Sequence, residues 1–169
     1  MSATRTARQL FAISILGLSA GNALALDKKP VVTLDLAKKL IAACEAKAQQ
    51  QGWKMNIAIV DNGANLVAFE RMDGAYLGSI YVAQHKAVTS ADFPTASRTM
   101  MEAAYGKDQQ PARSPGIATI PGIVLIPGGL PIITADKTLI GAIGVSGSTS
   151  DNDEQCAQAG LDQVKAELE

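Results

Sequence analysis

The chain has 169 residues, with 15 basic and 16 acidic side chains and a single histidine. This balance argues against a nucleic-acid-binding surface, which is usually strongly basic. Aromatic residues make up only 4% of the chain, whereas Ala, Val, Ile and Gly are abundant; this composition is typical of a compact α/β-type domain with small-residue packing and not of a disordered or collagen-like chain.

Residues 1–25 have the pattern of a signal peptide. Arg5 and Arg8 precede an apolar run over 10–18, and Ala-Leu-Ala at 23–25 matches a signal-peptidase site. The run is shorter than the about 20 apolar residues that a membrane anchor needs. We therefore expect cleavage after residue 25 and export to the periplasm or the medium. One domain, 26–169, remains, with no segment able to span a membrane and a net charge of −3, because 13 of the 15 basic residues are left against 16 acidic ones.

A helix and a hairpin are predicted at the start of this domain. Thr33 can cap a helix whose apolar residues recur at three and four positions and which Gly52 ends. Residues 55–71 then form two β-rich runs about Asn62-Gly63, the dipeptide that best tolerates the positive φ of a tight hairpin turn.

The remaining elements are read from periodicity and from proline and glycine positions. Helices are expected over 79–91 and 95–105, and the polar, proline-punctuated stretch 106–122 is a long loop of the kind that is functional or mobile. Three short strands and a last helix follow, at 123–126, 130–135, 139–145 and 151–168. The order α-β-β-α-α-β-β-β-α, with tight turns within each strand group, predicts an α+β type of α/β fold: a five-stranded antiparallel sheet with helices packed on it.

Cys44 and Cys156 lie on predicted helices near the two ends of the exported domain. An oxidising compartment allows a disulfide to persist, but the two helices must pack together for it to form. Spacing leaves open a bridge and two separate buried thiols.

The stretch GVSGSTSDNDEQ, 144–155, is a strand that runs through a small-residue loop into a helix, as phosphate-binding loops do. Carboxylates crowd the first turn of that helix and would repel an anion: Asp151, Asp153 and Glu154. We therefore expect a close-packed turn in which Gly144 and Gly147 allow backbone contact. The alternative is a pocket edge, with hydrogen bonds from Ser146 and Ser148 to a neutral or cationic group.

Five ordered motifs resemble the GlcG/HbpS family of haem-binding or haem-degrading proteins, which is related to the C-terminal domain of PduO-type proteins. They are LDLAKKLIAACEAKA, IAIVDNGANLVAFERMDGA, QHKAVTSADF, IPGGLPI and LIGAIGVSGSTSDNDEQCAQAG. The resemblance implies an antiparallel five-stranded sheet, self-association into homo-oligomers and, for some members, haem binding with redox or haem-breakdown roles. The motif positions that carry over are Arg71, Asp73, Gly74, Lys86, Ala87, Gly128, Gly129, Pro131, Gly144, Ser146 and Gly147. No axial-ligand motif can be mapped.

His85 is the candidate axial ligand, because neutral imidazole is a common ligand of haem iron. Helical spacing places it away from the apolar stripe of its helix and one turn from Tyr81. An ordinary surface histidine and a proton-transfer residue are the alternatives. Lys86 and Arg113 are candidates for pairing with haem propionates, or are solvated charges. Fallback axial ligands are Tyr81, Tyr105 and Met100. With so few aromatic residues, haem is expected at a surface or subunit boundary.

Two other functions remain open. The protein could be an enzyme or binder for a small organic acid of the glycolate type, with its carboxylate held by cationic side chains and protons moved by an acid or base. The residues for those roles would be Arg71, Lys86 and Arg113, and Asp73 or His85. It could also be a structural oligomerisation module. No complete set of nucleophile, base and orienting residue is visible, so whether it is an enzyme stays open.

Overall fold

A computed structural model describes residues 29–169, so the predicted signal peptide lies outside the described residues. In chain order the elements are α1 (Leu34–Gln51), β1 (Asn56–Asp61), β2 (Leu66–Arg71), α2 (Gly78–Asp92), α3 (Ser97–Tyr105), β3 (Gly129–Ile133), β4 (Leu139–Ser146) and α4 (Ser150–Val164). Single 3-10 turns cover Pro115–Thr119 and Lys165–Glu167. Within 29–169, no helix combines the length and apolarity needed to cross a bilayer.

Local sequence explains the ends of α1 and the first hairpin. The Thr33 hydroxyl accepts a hydrogen bond from the N–H of Leu36, and Gly52 ends α1 in the left-handed conformation at φ +71°. The hairpin lies where Asn62-Gly63 predicted it, but the positive φ falls on Ala64. The Asp61 carboxylate accepts hydrogen bonds from the N–H groups of residues 63 and 65, and this fixes a four-residue connection in place of a tight two-residue turn.

The sheet has four strands in the order β2-β1-β4-β3, and all neighbours are antiparallel. The prediction of five strands was wrong, because residues 123–126 form no strand. Two of their backbone groups bond to helix side chains instead: the N–H of Val124 donates to Thr89, and the carbonyl of Ile126 accepts from Ser97. The apolar run therefore lies against helices and not in a ladder.

Helices cover both faces of the sheet. One face carries the larger core, in which side chains of α1 and α4 pack on β1, β3 and β4; its members include Leu40, Ile57, Ile132, Ile143, Val145 and Ala157. The other face carries α2 through small residues, Ala83, Ala87 and Ala91, over Ala58 and Ala142. A Cβ atom on Gly144 would lie 2.1 Å from the carbonyl oxygen of Ala83. The close approach of α2 to the sheet thus requires glycine at that position.

Cys44 of α1 and Cys156 of α4 are joined in a disulfide with a Cα–Cα distance of 4.6 Å. The two helices pack side by side over the sheet, which is the arrangement that a bridge requires. The bond closes a loop across a sequence separation of 112 residues. It therefore connects the start of the described domain to its end.

Candidate functional site

His85 lies on the outer side of α2, as the helical spacing predicted, and the structure shows it half-buried. Its ring stacks on that of Tyr81, with centroids 3.7 Å apart and an angle of 22° between the planes. Tyr81 is 58% exposed. The imidazole is therefore held by a neighbour one turn away and still reaches the surface.

A backbone contact determines which ring nitrogen of His85 can bind a metal or take a proton. Nδ1 lies 3.0 Å from the carbonyl oxygen of Tyr81. Because a carbonyl oxygen only accepts hydrogen bonds, Nδ1 must carry the hydrogen, and in the neutral ring the lone pair is then on Nε2. This pattern, in which one nitrogen donates to a carbonyl and the other is left for the metal, is usual for metal-binding histidines.

Lys86, the next residue on α2, lies about 100° further around the helix, points into the protein and is completely buried. Its Nζ donates to Oδ2 of Asp153 at 2.8 Å and to the carbonyl oxygen of Val145 at 2.9 Å. Burial lowers the pKa of the Lys86 ammonium and raises the pKa of the Asp153 carboxyl, against the attraction between the two groups. The prediction that Lys86 pairs with a propionate or is solvated was therefore wrong, because its ammonium is inside the protein and already paired.

Gly128 and Gly129, which were expected at a binding site, pack closely against Lys86 of this ion pair. A Cβ on Gly128 would lie 2.9 Å from Nζ of Lys86, and one on Gly129 would lie 2.3 Å from the carbonyl oxygen of the same lysine. The N–H of Gly129 donates to the hydroxyl of Ser97 at 2.9 Å. Gly128 and Gly129 are thus positions of close packing.

Residues 147–149 form the close-packed turn from β4 into α4 that was predicted within the 144–155 stretch. Thr149 caps α4, and Oδ1 of Asp153 accepts the N–H of Ser148 at 3.0 Å, so a carboxylate of the chain already takes the place of an anion. Ser146 is buried, and a Cβ on Gly147 would lie 2.1 Å from the carbonyl oxygen of Lys54. Neither residue lines an open pocket edge. The Ser148 hydroxyl accepts a hydrogen bond from the side chain of Asn152.

The other candidates lie apart from His85. Arg71 ends β2 and Asp73 follows it, both exposed. Arg113 is exposed and lines an open depression of about 430 Å³ that does not include His85 among its lining residues. Of the fallback ligands, Met100 is buried whereas Tyr105 is 65% exposed. The structure thus brings Tyr81 and His85 together and does not gather the cationic candidates around them.

Sequence reasoning missed Thr89, Ser97 and Asp153. All three are buried polar residues that bond to parts of the chain 29 to 67 positions away. One signal was present for Lys86: it lies three residues after Ala83, which is the spacing of a core face. Among residues 29–169, no group of three or more His, Cys, Asp or Glu side chains could hold a metal ion.

Comparisons with known proteins identify the family. The model of a family described as "Haem degrading protein HbpS-like" matches residues 32–162. Protein GlcG of Escherichia coli K12 is 33% identical over 118 residues, which cover 70% of this chain and 83% of GlcG. An uncharacterized 15.0 kDa protein from the dhaT-dhaS intergenic region of Citrobacter freundii is 34% identical over 134 residues, covering 78% and 90% of the two chains. The crystal structure of HbpS has a TM-score of 0.75 at 28% identity, with 85% and 96% of the chains covered. The chain therefore belongs to the HbpS-like family, as the sequence motifs predicted.

Proposed function

We propose that this protein binds haem and that Nε2 of His85 is the axial ligand of the iron. The family description names haem as the molecule on which a member acts. The observation that carries the assignment to His85 is the contact of its Nδ1 with the carbonyl oxygen of Tyr81, because this contact leaves the lone pair on Nε2.

The residues around His85 fit an amphipathic, flat ligand. The exposed side chains at the start of α2 are apolar or aromatic: Tyr76, Leu77 and Tyr81 are 72%, 69% and 58% exposed. Stacking on Tyr81 holds the imidazole plane, so less freedom is lost when the ring binds iron. When bound, haem supplies a redox-active iron. A site on the outer side of a helix leaves much of the porphyrin in contact with water, so exchangeable binding is expected.

A hemin titration with matched variants tests the proposal. The unaltered protein should shift the Soret band of hemin, and His85→Ala should abolish that shift, with added imidazole restoring it by supplying the missing nitrogen. Leu66→Ala is the control, because Leu66 is a similarly exposed apolar residue, at 54%, on the edge strand β2. If His85→Ala gives the same spectrum as the unaltered protein, His85 is not the ligand.

The family description favours haem breakdown as the biological role over scavenging or redox sensing. The expected result is slow loss of the Soret band when the hemin complex is supplied with a reductant and oxygen, at a rate that exceeds that of free hemin. A stable spectrum under those conditions would favour a scavenging or sensing role.

We also propose export and self-association. Export is supported by the pattern of residues 1–25 and by the Cys44–Cys156 disulfide, since such bonds persist in oxidising compartments. The mature protein should begin at Leu26 and be recovered from the periplasm or the medium. Self-association is supported by the exposed apolar residues at the start of α2, and Leu77→Asp should lower the mass measured by light scattering.

The organic-acid alternative is not favoured by the structure. It required Arg71, Lys86 and Arg113 to bind a carboxylate. Lys86 is buried in an ion pair, whereas Arg71 is exposed at the end of β2 and Arg113 is exposed on a loop. In the part of the chain that the structure describes, Lys86 is therefore not available to form the cationic cluster on which that alternative depended.

A further inference from the structure

A hydrogen-bond relay connects His85 to the loop between α3 and β3. The Thr89 hydroxyl donates to the carbonyl oxygen of His85 at 2.7 Å and accepts the N–H of Val124 at 2.9 Å. Residues four apart lie above one another on a helix, so Thr89 is on the same side of α2 as His85. Thr89 is completely buried. The backbone N–H of Val124 is therefore held by a residue that lies about one helical turn, roughly 5.4 Å, along α2 from His85, on the side away from Tyr81.

The loop around Val124 is unusually apolar. The 120–126 segment contains five aliphatic side chains, Ile120, Ile123, Val124, Leu125 and Ile126. Ile120 and Ile126 are 39% and 41% exposed, and the other three are half-buried. Loops usually present polar side chains to water, so a run of partly exposed aliphatic residues indicates a surface that another molecule covers.

The 120–126 segment is held in place at its end as well as at Val124. The Ser97 hydroxyl donates to the carbonyl oxygen of Ile126 at 2.8 Å and accepts the N–H of Gly129 at 2.9 Å. These bonds replace the strand pairing that the segment lacks. Its aliphatic side chains are thereby presented by a fixed backbone beside the outer side of α2.

We infer that the 120–126 segment is the apolar wall on which the porphyrin ring lies when His85 binds the iron. This inference rests on the proposed haem function. A porphyrin is wider than one turn of a helix, which rises roughly 5.4 Å, so a haem held by Nε2 would extend over groups that neighbour His85 along α2. On the side of Thr89 those groups belong to the 120–126 segment. Burial of its aliphatic side chains against the ring would then provide affinity that one coordination bond at an exposed site does not.

The test separates contact with the wall from ligation of the iron. Ile120→Asn and Ile126→Asn each replace a partly exposed aliphatic side chain with a polar one of similar length, and Leu66→Asn is the control because Leu66 is 54% exposed on the edge strand β2. Hemin dissociation constants and the rate of hemin transfer to excess apomyoglobin are measured for each variant, with thermal unfolding as a check of folding. The two segment variants should bind hemin roughly tenfold more weakly, the scale of losing a small apolar contact. Their Soret maximum should stay unchanged, because His85 still ligates.

A third variant tests whether the hydrogen bond from Val124 to Thr89 holds the 120–126 segment in place for haem binding. Thr89→Val removes the hydroxyl while keeping the shape of the side chain, so it should speed hemin transfer without moving the Soret maximum. If His85→Ala abolishes the hemin spectrum while both segment variants bind as tightly as Leu66→Asn, the wall is refuted and the haem function stands. If the unaltered protein leaves the hemin spectrum unchanged, both the function and the wall are refuted.

Discussion

Removing the carboxylate of Asp153 should destabilise the protein severely. Asp153→Ala would leave the Lys86 ammonium, whose side chain is completely buried, with the carbonyl oxygen of Val145 as its one remaining hydrogen-bond acceptor. Breaking a buried ion pair by removing one partner costs about 3–5 kcal/mol. Loss of the acceptor for the N–H of Ser148 adds about 1 kcal/mol or more.

Replacing both charges separates the value of the pair from the penalty of an orphaned charge. Asp153→Asn keeps an oxygen for the N–H of Ser148 but leaves the ammonium of Lys86 uncompensated. Lys86→Met combined with Asp153→Asn removes that charge, so the double variant should be more stable than Asp153→Asn alone. Urea unfolding at neutral pH measures all three free energies. A cost below about 1 kcal/mol for Asp153→Ala would refute the reasoning, since it would mean that the ammonium is solvated or neutral without its partner.

Two further predictions concern stability. Burial, and then repulsion from Glu45, raise the pKa of Glu70 above its usual value of 4.5, so the folded state loses stability as pH rises through the raised pKa. Glu70→Gln should therefore increase the melting temperature at pH 7 and change it little near pH 3.5. An equal change in melting temperature at both pH values would contradict the prediction. Reducing the Cys44–Cys156 bond, or replacing both cysteines with alanine, should lower the free energy of unfolding by roughly 4–5 kcal/mol, because the bond closes a long loop. Urea unfolding with and without reductant measures this change. An unchanged midpoint would show that the disulfide adds no stability.

The secondary-structure elements that were predicted correctly are specified by residues within or next to the element. The Thr33 cap, the Gly52 stop and the apolar spacing between them specify α1 without reference to the rest of the chain. The prediction of a fifth strand was wrong because a short apolar run has no periodicity that distinguishes a strand from a loop packed on helices. What decided the outcome for 123–126 was the pair of hydroxyls on Thr89 and Ser97, which lie 35 and 29 residues from their partners in this run.

In the candidate site, too, the sequence predicted the features that depend on local spacing and missed those that depend on distant contacts. The outward position of His85 follows from helical spacing alone, but the contact of its Nδ1 with the carbonyl oxygen of Tyr81 depends on a side-chain rotamer. Lys86 was misassigned because lysine is rarely buried unless it is paired. Its partner Asp153 is 67 residues away, and nothing in one sequence indicates that these two charges meet.

Two sides of α2 therefore have different chemical requirements, and the adjacent residues His85 and Lys86 satisfy them. Lys86 points inward, where its ion pair with Asp153 and the close packing of Gly128 fix α2 against the start of β3 and the start of α4. His85 points outward, where a ligand can reach it. Because the 120–126 segment runs directly into Gly128, the buried ion pair also fixes one end of the proposed porphyrin wall. Loss of the pair should thus disturb haem binding even though neither charge contacts the haem, and a Lys86 variant that still folds would show this as faster hemin transfer with an unchanged Soret maximum.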